Sequence, residues 1–568
     1  MTRFPAFTAV AALFLIVTGC APGPASSTGG SGLQPTVVGP KVITVPITRE
    51  VSALHPQINT AGGTDAVLVT FNAGLSYADE TGIIHPSLAE LPQLNTDTWQ
   101  VLPDGKMETK FNLRPGLTWQ DGTPFDAQDF VFATRVYSNP NVPIRNAEQI
   151  KLMDSVVAPD SRTLVIRWKS LYQGAGSMQM LDFVPLPRHI LEQPLSNIEK
   201  DPAQADAFVN LPFWKAEYVS VGPFRLRTWE PGSVMEGTAF DGYVLGRPKI
   251  DRIVIRIMDD TTVMTNILAG TLDIGETNFE QHQVLERDWV AAGKGFLRQG
   301  INNPRPLWIQ LKPEYVGEPA ILDLRVRRAL AYSVDRQAIN DGVFDGEGAM
   351  TETIVPTTAA IFPDVDKAIM HYPYDPRRSE QLMTEVGYTR DRDGFFIDAS
   401  GKRFVLDFER DTDSEQERIQ QILVDRWQKA GFQINAYPLP VAAPLEHRAT
   451  FPGIQGTGGA SEASWASATL ATAANRWGGT NKGGWTSLAY DRLYDSFNST
   501  LDQAERTRLF IQMQVTFTEN LPMFLNYFNI KTWAIGSHMK NWKPEVKPVG
   551  GLTQATLRNW NIHEWERQ

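Results

Sequence analysis

Three tryptophans, Trp465, Trp477 and Trp485, stand among glycines in FPGIQGTGGASEASWASATLATAANRWGGTNKGGWTSLAYDRLYD, which runs from Phe451 to Asp495. Asn475, Arg476 and Asn481 lie between or beside them. Aromatic faces next to exposed polar groups can hold a sugar, a peptide side chain or a planar organic ligand, and an arginine can clamp a carboxylate. The same tryptophans can instead fill a core. Glu462 is the only acid between Phe451 and Tyr490, and Tyr77, just ahead of the acidic pair Asp79-Glu80, is a further aromatic candidate.

Catalytic chemistry has little to work with. The eight histidines include no pair three or four residues apart, so there is no zinc-binding H-E-x-x-H helix. No G-x-S-x-G nucleophile elbow occurs, and GIQGTGGAS fits neither the dinucleotide nor the P-loop pattern. The formal charge of −11, with no basic stripe, argues against a nucleic-acid partner.

Cys20 is the only cysteine, which leaves no intrachain disulfide. It follows Arg3 and the apolar stretch Ala9 to Val17, too short to span a bilayer and read as a signal peptide over residues 1 to 19. Val17-Thr18-Gly19-Cys20 resembles a bacterial lipobox, in which cleavage leaves a diacylglyceryl-cysteine as the mature N-terminus. Gly, Ser and Pro dominate Ala21 to Pro35, so residues 20 to 40 read as an anchor and flexible tether.

The body reads as strands and capped helices. Lys106 to Leu113 alternates as a strand, and Asp126 is placed to cap the helix that follows, with Asp129 three residues on. In KIDRIVIRIMDDTTVMTNILAGTLDIG, a strand gives way to a helix with Val263, Ile267 and Leu268 on one face and Gly270 at its end. Asp323 begins a helix that buries Val326, Ala329, Leu330 and Val334. A later one places Ile419, Ile422, Leu423 and Trp427 together and stops at Gly431. A chain of 568 residues with such βαβ runs implies an α/β protein of more than one lobe.

IIHPSLAELP, DGKMETKFNLRPGLTWQDGTPFDAQDFVFA, VVAPDSRTLVI, VGPFRLRTWEPG, AGTLDIG, ILDLRVRRALAYSVDRQAI, YPYDPRRSEQLMTEVGY and QVTFTENLPMFLNYF follow one another in that order. The order resembles the extracytoplasmic solute-binding receptors of ABC importers of the peptide/nickel class, over about residues 41 to 528. The resemblance implies a hinged, type II-like periplasmic-binding-protein fold. Lobe I would comprise about 41–75, 213–303 and 525–568, with an extra domain inserted at 76–212 and lobe II at 304–524. INNPRPLWIQL would hold one crossing between lobes, with Pro304 and Pro306 bracketing a break before a new strand; the segment before NYFNIKTWAIG would hold the return.

The resemblance also implies a non-catalytic receptor without cofactor. It would be monomeric and lipid-anchored outside the cytoplasm, capturing a peptide or other small polar solute for a permease and its ATPases. Peptide-binding members pair the peptide's amino group with a lobe II aspartate, and the corresponding stretch here has none between Phe451 and Tyr490. That leaves carbohydrate or metal-chelate ligands open, the latter through His447 near the same stretch, and a secreted lipoprotein hydrolase as the rival of another class. The candidate ligand contacts are Trp477, Trp485, Arg476, Asn475, Glu462 and Tyr77.

Overall fold

A computed structural model describes residues 39–58, 64–142, 148–440, 443–545, 549, 552 and 556–568. The signal segment, Cys20 and the tether up to residue 38 lie outside the described residues. The described chain is mixed α/β, with three main sheets among the described residues. In the first sheet Val42–Ile47 runs parallel to Arg252–Ile257, which is followed by Val234–Ala239 and Phe224–Glu230, both antiparallel. The second is antiparallel, built from strands between Ala89 and Trp168. Its strand Met107–Leu113 buries Met107, Thr109, Phe111 and Leu113, the period-two pattern of a sheet with one face on a core.

Helix ends fall where their capping residues stand. Asp126 accepts the Gln128 amide and Asp129 accepts the Asp126 amide, which closes a capping box on helix Ala127–Tyr137. Asp259 caps Asp260–Ala269, and Gly270 ends it at φ 72°, a left-handed conformation that suits glycine. Asp413 caps Ser414–Lys429, which buries Ile419, Leu423 and Trp427. Each cap contributes about 1 kcal/mol; the buried faces contribute more, at about 25 cal/mol per Å² of apolar surface.

The third sheet joins the parts of the molecule. Its order is Ile274–Asn278, Met523–Gly536, Gly295–Ile309, Ile454–Gly456, Val405–Asp411 and Gln433–Leu439, with Ala349–Met350 also pairing to Met523–Gly536. Gly295–Ile309 and Met523–Gly536 pair antiparallel from Gly295 opposite Gly536 to Trp308 opposite Met523. At one end, Trp533 and Ile535 belong to a core that takes in the first two sheets. At the other, Leu307, Ile309, Phe524 and Tyr527 enter a second core, while Trp308, Met523 and Leu525 enter a third on the opposite face.

The passage between these cores departs from the sequence expectation. Pro304 and Pro306 do not separate two strands: Gly295–Ile309 is one strand, with register irregularities between Ile301 and Pro304 and between Pro304 and Pro306. Proline has no N–H to give a ladder, so the pairing slips locally while the residues on either side hold the partner. Leu525 to Ile530 face this section, so the return passage between these cores runs within Met523–Gly536.

Candidate ligand-binding site

Successive side chains of Val405–Asp411 point to opposite faces of the sheet. Leu406, Phe408 and Arg410 are buried on the second-core side. Arg410 donates from Nε and Nη2 to Gln416 Oε1, at 2.9 and 2.6 Å, and from Nη2 to the Tyr527 hydroxyl at 3.0 Å. Glu409 and Asp411 point the other way. Glu409 is in register with Gln455, and Gln455 with Trp308, so the three form a row on one face.

Charged groups gather at the end of that row, where the strands pass between cores. Glu409 accepts Gln455 Nε2 at 2.9 Å and lies 3.0 Å from His447 Nε2. Asp411 accepts the Thr457 hydroxyl at 3.0 Å and lies 3.5 Å from Arg305 Nη2. The Thr457 hydroxyl in turn accepts Arg448 Nη1 at 2.8 Å, and Arg305 Nη1 donates to the Gly458 carbonyl at 3.3 Å. Lys482 places Nζ 5.7 Å from the centre of the Trp308 ring and makes no hydrogen bond to any described residue.

Electrostatics separate these groups. Burial lowers the Lys482 pKa, the like charge of Arg448 lowers it further, and Asp411 partly offsets both. Burial also works against the charge of Arg305, but Tyr527, Asp411 and Asp413 outweigh it and its pKa rises. Glu415 is pushed up to about 7 by burial and by Asp413, against the pull of Arg305, Lys531 and Arg410.

Lys531, on the return strand, continues the charged line toward the first core. It lies 3.3 Å from Glu276, which also takes Arg558 Nη1 at 3.1 Å, and Arg558 binds Asp65. Lys531, Glu276, Arg558 and Arg49 line a cavity of about 90 Å³ floored by Trp533, Trp542 and Trp565. Ligand pockets for organic molecules run to about 300–1,000 Å³. An oligopeptide therefore does not fit inside this cavity.

The candidates read from sequence fall in three places. Trp465 is fully buried and stacks on Phe517 with ring centres 3.9 Å apart; Trp485 packs edge-on to Tyr490 at 5.5 Å. Glu462 lies in the same region, where its backbone carbonyl accepts the Tyr490 hydroxyl and its charge favours protonated Arg506. Asn475 folds back on the Thr472 amide and Leu470 carbonyl; Arg476, exposed, and Trp477 follow with φ of 54° and 61°. Trp477 packs against Tyr315 and under Lys312, beyond the end of Gly295–Ile309.

Tyr77 belongs to the first core region, stacked between His85 and Trp560 at 5.3 and 5.8 Å. Asn481 is buried and bonds the Ala466 and Trp485 carbonyls and the Gly484 amide, a structural fastening. Sequence reasoning missed Lys482, although a lysine set between an asparagine and two glycines in an aromatic stretch was visible there. Arg305, Asp411 and Arg448 were missed as well, because they come from three separate segments. Among the described residues no three His, Cys, Asp or Glu side chains converge as a metal site; His447 has Glu409 alone.

The model of the bacterial extracellular solute-binding proteins, family 5, matches residues 91–489. The chain belongs to this family. As a family 5 protein it is 25% identical over 499 residues to the dipeptide-binding protein of Escherichia coli, covering 83% of this chain and 86% of that one. It is equally, 25%, identical over 515 residues to heme-binding protein A of Haemophilus influenzae, covering 85% and 86%. The structure of NikZ from Campylobacter jejuni in complex with Ni(L-His) superposes with a TM-score of 0.74 at 19% identity, over 93% of this chain and 100% of that one. Two relatives at the same distance carry different ligand names, so the ligand of this family 5 protein must be read from its own residues.

Proposed function

We propose that this protein is the extracytoplasmic receptor of an ABC importer, and that it captures a peptide-like or other polar organic solute on the charged face where the two long strands cross. Two lobes close on the solute, with the boundaries given above and the domain at 76–212 inserted in the first, and the closed form delivers it to the permease. Lipid on Cys20 anchors the receptor, which acts as a monomer and performs no chemistry on its cargo. The observation that supports this reading best is the line from Arg558 and Glu276 through Lys531 to Arg305, Asp411 and Lys482, drawn from both sides of the crossing.

A ligand that touches both sides does so only when they approach, so binding shifts the population toward closure. The test is a thermal-shift panel of di- to pentapeptides, malto-oligosaccharides and nickel–histidine on protein beginning near residue 36. A ligand at 100 times its Kd stabilises by about 2.7 kcal/mol. Binding without turnover supports the receptor; hydrolysis of a bound peptide, ester or glycoside overturns it in favour of a secreted hydrolase. Mass spectrometry of full-length protein made in bacteria is expected to find diacylglycerol on Cys20, and an unmodified mature Cys20 would refute the anchor.

A further inference from the structure

Lys482 is held in place from both sides. Asn481 is fastened by its three side-chain hydrogen bonds, and the Leu311 amide donates to the Gly483 carbonyl at 2.7 Å. A Cβ on Gly483 would collide with the Ile309 carbonyl oxygen, so only glycine lets this segment lie against the end of the strand. From Trp477 beside Tyr315 to Lys482 over Trp308, the chain moves back along that strand toward the crossing. The ammonium then stands beside Gly458, which is exposed and at φ 69°.

Every other charge in this cluster is spoken for. Asp411 is taken by Thr457 and Arg305, Glu409 by Gln455 and His447, and Arg448 by the Thr457 hydroxyl and the Ala443 carbonyl. The two charges that Lys482 feels, Arg448 and Asp411, are opposite in sign and offset each other. This ammonium has three donors, is half-buried, and donates to no described residue, so it is open to an acceptor arriving from outside. What fits is an anion: it answers Lys482 and is welcomed by Arg448 alongside. A carboxylate matches better than a dianion, because Asp411 stands within the same network.

We propose that Lys482, backed by Arg448 and the Trp308 ring, is a subsite for a carboxylate of the transported solute. The inference rests on the receptor reading above and specifies the class of its cargo: an organic acid or a peptide with its carboxyl end free.

Two measurements test it. In the first, lysine acetylation is followed by mass spectrometry while acetate, succinate or dialanine is added. Lys482 is expected to be protected by these carboxylates but not by dialanine amide. Absence of selective protection overturns the subsite whatever the protein transports. In the second, free-acid and amidated peptides are compared as ligands of wild type, Lys482→Met and Lys482→Arg. The free acid is expected to bind about tenfold or more tightly than the amide, Met to abolish that preference and Arg to restore it.

Melting of Lys482→Met is expected to be unchanged or higher, since an unmatched charge is removed; a lower melting temperature would assign the residue to the fold. A neutral oligosaccharide that binds while no carboxylate does would overturn the subsite and leave the receptor standing. A protein that protects Lys482 with carboxylates yet shows turnover would keep the subsite and overturn the receptor.

Discussion

Arg410 and Asp411 are neighbours on one strand and face opposite sides of the sheet, and the two sides are finished differently. Behind the sheet, Arg410, Gln416 and Tyr527 share a network inside the second core that excludes water. In front, Asp411, Thr457, Arg448 and Arg305 form a comparable network, but Lys482 is left beside it with no acceptor among the described residues. The back network is shut inside the core, and although Arg410 Nη1 finds no partner among the described residues, nothing from outside reaches it; a buried polar network of this kind specifies a fold. The front one ends at Lys482 beside the exposed Gly458, where a group from outside can reach it.

The comparison can be broken most sharply at Trp465, which covers the front face farther along. Trp465→Ala removes a fully buried ring stacked on Phe517 and should lower stability by about 3–5 kcal/mol in denaturant unfolding. A loss near zero would mean the front face is open there too.

Glu415 tests how tightly the back is sealed. The folded protein holds its proton up to about 7, above the ordinary carboxylate value of 4.5. The folded state therefore binds more protons than the unfolded chain between those values, and the stability tied to Glu415 is full below that window and lost as pH rises through it. That difference amounts to about 3 kcal/mol. Glu415→Gln should remove this decline, as read from unfolding curves at pH 5 and pH 8.

Removing the cation behind the sheet should cost less, because the methylene stem can be kept. Arg410→Met removes the three hydrogen bonds that Arg410 donates in the core, while Gln416 and the Tyr527 hydroxyl still bond each other, and should cost about 2 kcal/mol. The contrast with Lys482→Met, expected to be neutral or stabilising, is the comparison in its simplest form. The smallest effect belongs to Trp485→Ala, whose half-buried ring touches Tyr490 edge-on: about 1 kcal/mol of stability. Its solute affinity should stay unchanged in calorimetry, and a tenfold loss of affinity would move the ligand toward Trp485.

Much of the architecture was legible because its causes are local. Asp126, Asp259, Asp323 and Asp413 each cap the helix that follows, and the alternation of Met107 to Leu113 puts one face on a core. The aromatic stretch was legible as a place, less so as a set of contacts. A tryptophan among glycines reads the same whether it stacks on Phe517, as Trp465 does, or leans on Tyr315, as Trp477 does.

By itself, then, the sequence determined the solute-binding class, the order of elements, the scarcity of catalytic groups and the lack of an aspartate from Phe451 to Tyr490. Periodicity, capping and motif order act over a few residues or along the line of the chain. Tertiary structure alone decided that Pro304 and Pro306 slip the register of one strand without ending it, and that Arg305, Asp411, Arg448 and Lys482 meet. Those residues are far apart in the chain, and whether a charge finds a partner depends on which face of which strand lies opposite, a relation that no spacing along the chain encodes.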